Sequence, residues 1–285
     1  TESAMVNQLI SLGQIVTFIA LSSKVFSSLK SILEDNLSLQ ENEVILKRYL
    51  DFDEEIQKKA KGGIEDFEIE KLELKNLNFG YLSNEPVLKN INLVINKSEK
   101  IKIEGINGSG KSTFSKILTT LYTLNSGTIL INERDWKFYS QEKMKDKILL
   151  VSTEDILFNE TIKNNICLGK EIPILEILNM AKQINFYDFI ASKEDGLEFI
   201  ISENGKNLST GQRKKILLLR TIFSKAEIVI LDEVLSGMDK ETREKVETLI
   251  ENDNSKTYII ISHESILNIN FSKKYKIQDG ELFLL

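Results

Sequence analysis

The stretch KIKIEGINGSGKSTFSKILTTLY, Lys100 to Tyr122, decides the fold. KIKIEGI alternates with β-branched residues, as a strand does, while Phe114, Ile117, Leu118 and Leu121 recur at helical spacing. Between them GINGSGKS, Gly105 to Ser112, has the spacing of a phosphate-binding loop (P-loop): glycine, four residues, then Gly-Lys-Ser. A strand that enters a helix through such a loop aims backbone N–H groups and a helix N-terminus at one point, where phosphate oxygens can be held. Gly105, Ile106, Asn107, Gly108, Ser109, Gly110 and Thr113 are the candidates for lining that point. Lys111 would reach the β and γ phosphates, and the Ser112 hydroxyl would take Mg²⁺. An ordinary strand-to-helix turn is the alternative, and the patterning on both sides argues against it.

Downstream, the apolar run IVIL, Ile228 to Leu231, ends in Asp232 and Glu233. Four consecutive aliphatics read as an interior parallel strand, and α/β sheets bind ligands at the carboxyl ends of such strands. Asp232 would orient Mg²⁺ through its waters; Glu233 would polarise the water that attacks the γ phosphate. An acidic pair after an apolar strand is also the common form of a solvated strand end, and the glycine loop upstream favours the chemical reading. The expectation is an α/β ATP hydrolase with cofactors ATP and Mg²⁺.

Between these motifs lies LSTGQRKKI, Leu208 to Ile216. Together the three stretches resemble, in order, the nucleotide-binding domain of ATP-binding cassette (ABC) transporters, whose signature is LSGGQ; the likeness runs from about Phe67 to Leu285. The resemblance implies a P-loop fold with a mainly parallel sheet core, an antiparallel β lobe carrying Tyr81 and a helical lobe carrying Ser209. Tyr81 takes the position that stacks on adenine. Ser209, the Gly211 amide and Gln212 match the signature that contacts nucleotide held by the opposite subunit, so two copies should pair head to tail as a homodimer. SGMD, Ser236 to Asp239, matches the turn that crosses that interface. His263, the only histidine, closes IIISH at the switch position, where its imidazole would meet the γ phosphate; a lone histidine after a buried strand is otherwise more often structural.

Two positions depart from the family pattern. Thr153, in VSTEDILF, stands where a glutamine usually touches Mg²⁺ and the attacking water; a threonine hydroxyl reaches them only if the loop comes closer or a water bridges. Thr210 replaces the first glycine of the signature, so weakened closure is expected.

Before the signature, IPILEILNMAKQINFYDFIAS has helical apolar spacing through Leu175, Leu178, Ala181 and Ile184. Glu203 and Gly205, just ahead of Leu208, resemble the short loop that exporters turn toward their membrane domain, and Phe158, Thr161, Ile162 and Asn165 fit the same exporter pattern. At the other end, AMVNQLISLGQIVTFIAL, Ala4 to Leu21, has no charge. It is at the lower limit for a spanning helix, and it resembles the last transmembrane helix of peptide and bacteriocin exporters. A buried soluble helix or a surface amphipathic one is the alternative. The expected division is residues 1–52 as the end of a transmembrane domain with its cytoplasmic extension, 53–68 as a charged linker and 69–285 as the nucleotide-binding domain. The chain then reads as the C-terminal part of a longer exporter in the cell membrane. Its ATPase domain faces the cytoplasm by the positive-inside rule, and the cargo is a peptide. A soluble ABC ATPase or a weakly catalytic regulatory subunit is the competing reading.

Composition sets limits. A net charge of −6 gives no support to a nucleic-acid partner, and a single cysteine excludes an internal disulfide or cysteine-cluster metal site.

Overall fold

The computed structural model describes residues 19, 21–28, 30, 63–81, 86–119, 122 and 124–285. The chain divides into two compact units, Thr1–Lys61 and Gly62–Leu285. In the first, residues 21–28 are helical, with the Ser27 and Ser28 hydroxyls bonded back to the Lys24 carbonyl at 2.9 and 3.0 Å. The expected membrane helix, Ala4 to Leu21, its extension and residues 53–62 of the linker lie almost wholly outside the described residues. Among the described residues no helix is long and apolar enough to cross a membrane. Residues 63–68, read as the end of the linker, belong to the second unit: Ile64 exchanges backbone hydrogen bonds with Phe138 and Ser140, and Phe67 packs on Tyr139 at 4.5 Å.

Among its described residues the second unit holds ten strands: β1 (Lys71–Phe79), β2 (Leu88–Asn96), β3 (Lys100–Glu104), β4 (Ser126–Ile131), β5 (Arg134–Asp135), β6 (Ile148–Ser152), β7 (Ile228–Asp232), β8 (Thr257–Ile261), β9 (Lys273–Gln278) and β10 (Glu281–Leu284). Its helices are α1 (Lys111–Leu118), α2 (Gln141–Lys147), α3 (Ile162–Cys167), α4 (Ile174–Gln183), α5 (Tyr187–Ala191), α6 (Thr210–Ile222) and α7 (Lys240–Asn252). Six strands form one sheet in the order β10-β9-β3-β8-β7-β6, parallel except for β10. The other four form an antiparallel sheet, β2-β1-β4-β5.

Period-two alternation explains why the aliphatic runs fold as interior strands. Along β7, Ile228 and Ile230 enter one core with β3 and the antiparallel sheet, while Val229 and Leu231 enter a second core with α3 to α7. Ile259 and Ile261 of β8 point to the first core, Tyr258 and Ile260 to the second. A strand covered on both faces reads as a near-continuous apolar run, and all five residues of β7 and of β8 are buried, with Asp232 and Thr257 the polar residues at their ends.

The helical lobe differs in detail from its sequence reading. The stretch from Ile174 makes two helices, α4 and α5, and the buried face of α4 carries Ile177 and Ala181, with Ile184 and Phe186 following, whereas Leu175 is exposed. Both sets of positions recur at helical spacing, and the tertiary neighbours decide between them. Thr161 caps α3 by accepting from the Asn164 amide, and fully buried Asn165 ties Phe158, Glu160 and Thr161 together through their carbonyls.

Candidate nucleotide site

β3 delivers the loop Gly105 to Gly110 to the start of α1. Gly108 has φ +80° and open space where a Cβ would stand, and Gly110 has φ +105° with Leu88 Cδ2 2.8 Å from that position. Both conformations disfavour any other residue, and the empty space at Gly108 lets a ligand approach the backbone. The Lys111 ammonium donates to the Gly105 and Ile106 carbonyls at 2.7 and 2.9 Å, closing the loop on itself. Ser109 Oγ is buried without a hydrogen-bond partner, an orphan that a phosphate oxygen would satisfy.

β7 runs parallel to β8, and β8 to β3, so their carboxyl ends converge on this loop. Asp232 is buried; burial raises its carboxyl pKa, and hydrogen bonds from Ser112 and Ser115 oppose that rise. Ser115 Oγ donates to Asp232 Oδ2 at 3.3 Å, which joins the acidic strand end to α1. Glu233 follows with φ +56°, a strained value for this residue, its amide held by the Ile261 carbonyl at 3.0 Å. Its Oε1 lies 3.0 Å from His263 Nδ1, and its Oε2 accepts from the Ser236 hydroxyl. Burial works to raise its pKa, but hydrogen bonds from Ser236 and His263 outweigh burial and hold the carboxyl below its ordinary value.

Mg²⁺ favours one or two carboxylates completed by substrate phosphates and water. No cluster of three acidic, histidine or cysteine ligands occurs among the described residues. Ser112, bonded to the buried carboxylate of Asp232, fits such a shared site. Thr153 is exposed and directly follows Ser152, the register partner of Asp232, so it stands beside the acidic strand end.

Tyr81, just past β1, is exposed and reaches α1 through Thr113, Oη to Oγ1 3.2 Å. Phe79 and Tyr122 meet its ring edge to face, at centroid distances of 5.2 and 5.5 Å.

The remaining candidates stand apart. Ser209 caps α6 in a capping box, accepting from the Gln212 amide at 3.2 Å while the Gln212 side chain accepts from the Ser209 amide at 2.8 Å. Gly211 faces open space, and Thr210 has an ordinary helical φ, so the Thr210 departure costs no backbone strain. Asp239 caps α7 through the Thr242 amide at 2.8 Å. Among the described residues no hydrogen bond joins Ser209, Gly211, Gln212 or Asp239 to the glycine loop. Sequence reasoning missed Ser115 and Ser236, both bonded to the acidic pair; Ser115, on the first turns of α1, was legible as a neighbour of the loop, Ser236 was not.

The family model for ABC transporters matches residues 88–236. The sublancin-168-processing and transport ATP-binding protein SunT of Bacillus subtilis is 30% identical over 281 residues, 98% of this chain and 40% of that protein. An ATP-dependent lipid A-core flippase of Pseudoalteromonas translucida is 34% identical over 280 residues, 96% of this chain and 48% of its own. The chain thus spans less than half the length of these relatives. A bacterial Atm1-family ABC exporter with ATP bound shares the fold, with TM-score 0.72 and 24% identity over 78% of this chain and 39% of that one. With the glycine loop, the acidic strand end and the capped signature helix in one unit, the chain belongs to the ABC transporter family and carries its ATPase domain.

Proposed function

We propose that this chain is the ATP-hydrolysing part of a membrane exporter whose cargo is a peptide. The observation that carries the chemistry is the Glu233 carboxylate held by His263 at the end of β7, one residue from the Asp232 that contacts α1. The loop amides, Ser109 and Lys111 bind the triphosphate, with Lys111 leaving the two carbonyls it now caps. Tyr81 supports the base. Ser112 and Asp232 would hold Mg²⁺, which would supply charge neutralisation for the phosphates. Glu233 takes a proton from the attacking water, and His263 fixes the orientation of Glu233 while its other ring nitrogen faces the γ phosphate. Ser209, Gly211, Gln212 and Asp239 serve the site of a second copy, which is why they lie apart from the loop of their own chain. Pairing of two copies would drive rocking of membrane helices.

Export is supported by the similarity to SunT and to the flippase over 98% and 96% of this chain, which takes in most of its first sixty or so residues. A peptide cargo is supported by the SunT similarity alone. Two measurements test the reading. Glu233→Gln should retain ATP and accumulate as a dimer by light scattering, while phosphate release stops; undiminished release overturns the base assignment. Recovery of the full gene product from the soluble fraction without detergent overturns the exporter.

A further inference from the structure

A run of polar contacts ends on Glu233, and three of its members, Ser236, Ser262 and Glu264, have no place in the scheme above. The Ser236 hydroxyl donates to Glu233 Oε2. Ser236 has one hydroxyl hydrogen, so in its 3.2 Å contact with Ser262 Oγ it accepts and Ser262 donates. Ser262 Oγ in turn accepts from the Glu264 amide at 3.1 Å. Three hydrogen bonds therefore run in one sense, from Glu264 through Ser262 and Ser236 to Glu233. The Glu264 side chain returns to the same turn: Oε1 accepts from the Gly237 amide at 3.0 Å, and Oε2 accepts from Arg243 of α7. Lys214 of α6 donates to the Ser236 carbonyl. The turn Ser236 to Asp239 is thus fastened from α6, from the segment after β8 and from α7.

We propose that Glu264 is a positioning residue for hydrolysis: by holding the Gly237 amide it keeps the Ser236 hydroxyl on Glu233, and so sets the carboxylate orientation beside His263. This rests on Glu233 acting as the base. Neither Glu264 nor Ser236 touches the glycine loop among the described contacts. Their effect on turnover passes through Glu233.

The test compares Glu264→Ala, Glu264→Gln and Ser236→Ala in the full chain, measuring kcat, KM for ATP and thermal unfolding. Glu264→Gln keeps an acceptor for the Gly237 amide; Glu264→Ala does not. Expected is a kcat loss of about tenfold in Glu264→Ala and Ser236→Ala, with KM within about twofold of wild type, and a kcat within about threefold of wild type in Glu264→Gln. Equal losses in the two Glu264 variants would assign the effect to the Arg243 ion pair and overturn the proposal. So would wild-type kcat in Ser236→Ala, which also decides the matter if Glu264→Ala fails to fold. Glu233→Gln serves as control: if it turns over ATP, the base assignment itself falls, whereas an inactive Glu233→Gln beside normal Glu264→Ala and Ser236→Ala removes only this proposal.

Discussion

Ser152 and Asp232 are register partners on the neighbouring parallel strands β6 and β7, so Thr153 and Glu233 emerge from the sheet side by side. Position 153 thus directly follows a strand end that neighbours the acidic pair, and in the proposed site a threonine there stops about two bonds, roughly 2.5 Å, short of a glutamine amide. Thr153→Gln is expected to raise kcat about threefold or more, as a positioned polar group does for an attacking water, and to lower the Mg²⁺ concentration at half-maximal rate. A magnesium titration of phosphate release checks both, and no change in either would mean that the loop does not approach the metal.

Tyr81 presents an exposed ring steadied edge-on by Phe79 and Tyr122. Base stacking of about 1 to 3 kcal/mol predicts that Tyr81→Ala raises KM for ATP about tenfold with kcat unchanged. Tyr81→Phe, which loses only the contact with Thr113, should stay near wild type. Steady-state kinetics with ATP decides it, and a fall in kcat instead would place Tyr81 outside the base contact.

Burial raises the Asp232 pKa above its unfolded value. A raised carboxyl favours folding below the unfolded pKa and loses that contribution as pH rises through the folded pKa, so at neutral pH the ionised group opposes folding. Asp232→Asn should accordingly stabilise the chain at pH 7 by about 1 kcal/mol, a common size for single stabilising changes, and the gain should shrink in acid. Hydrolysis should be lost. Thermal unfolding across pH tests the sign; a destabilised variant at pH 7 contradicts it.

Glu233 is shifted the opposite way: burial is outweighed by Ser236 and His263, and its pKa is lowered. Its contribution to folding is present above the unfolded pKa, about 4.3, and disappears as pH falls through the lower folded value. Residual activity should therefore persist to a lower pH than a free glutamate would allow. In His263→Ala the acid limb of the remaining rate should move upward, and a limb that stays in place would show that His263 does not hold this carboxylate.

Much of this was legible in the sequence because it is local. The glycine spacing at Gly105 to Ser112, the IVIL run of β7 and the isoleucines of β8 each specify geometry within a few residues. The choice between Leu175 and Ile177 as the inward face of α4 was not legible, since it is made by packing against α6. Nor was the Ser236–Glu233–His263 contact, in which residues thirty positions apart meet only because β7 and β8 are neighbours. Asp239 was read from its motif as the end of the turn that crosses between two copies; within its own chain it caps α7, a local role that the residue after SGM could equally have signalled.

In the Ser209 capping box the oxygen receives a backbone hydrogen from its own helix, and among the described residues its hydroxyl hydrogen has no acceptor. That spare proton can be offered to an arriving anion without uncapping α6. In the proposed pairing, the group that caps the start of α6 would meet a neighbour's triphosphate with its own helix already capped.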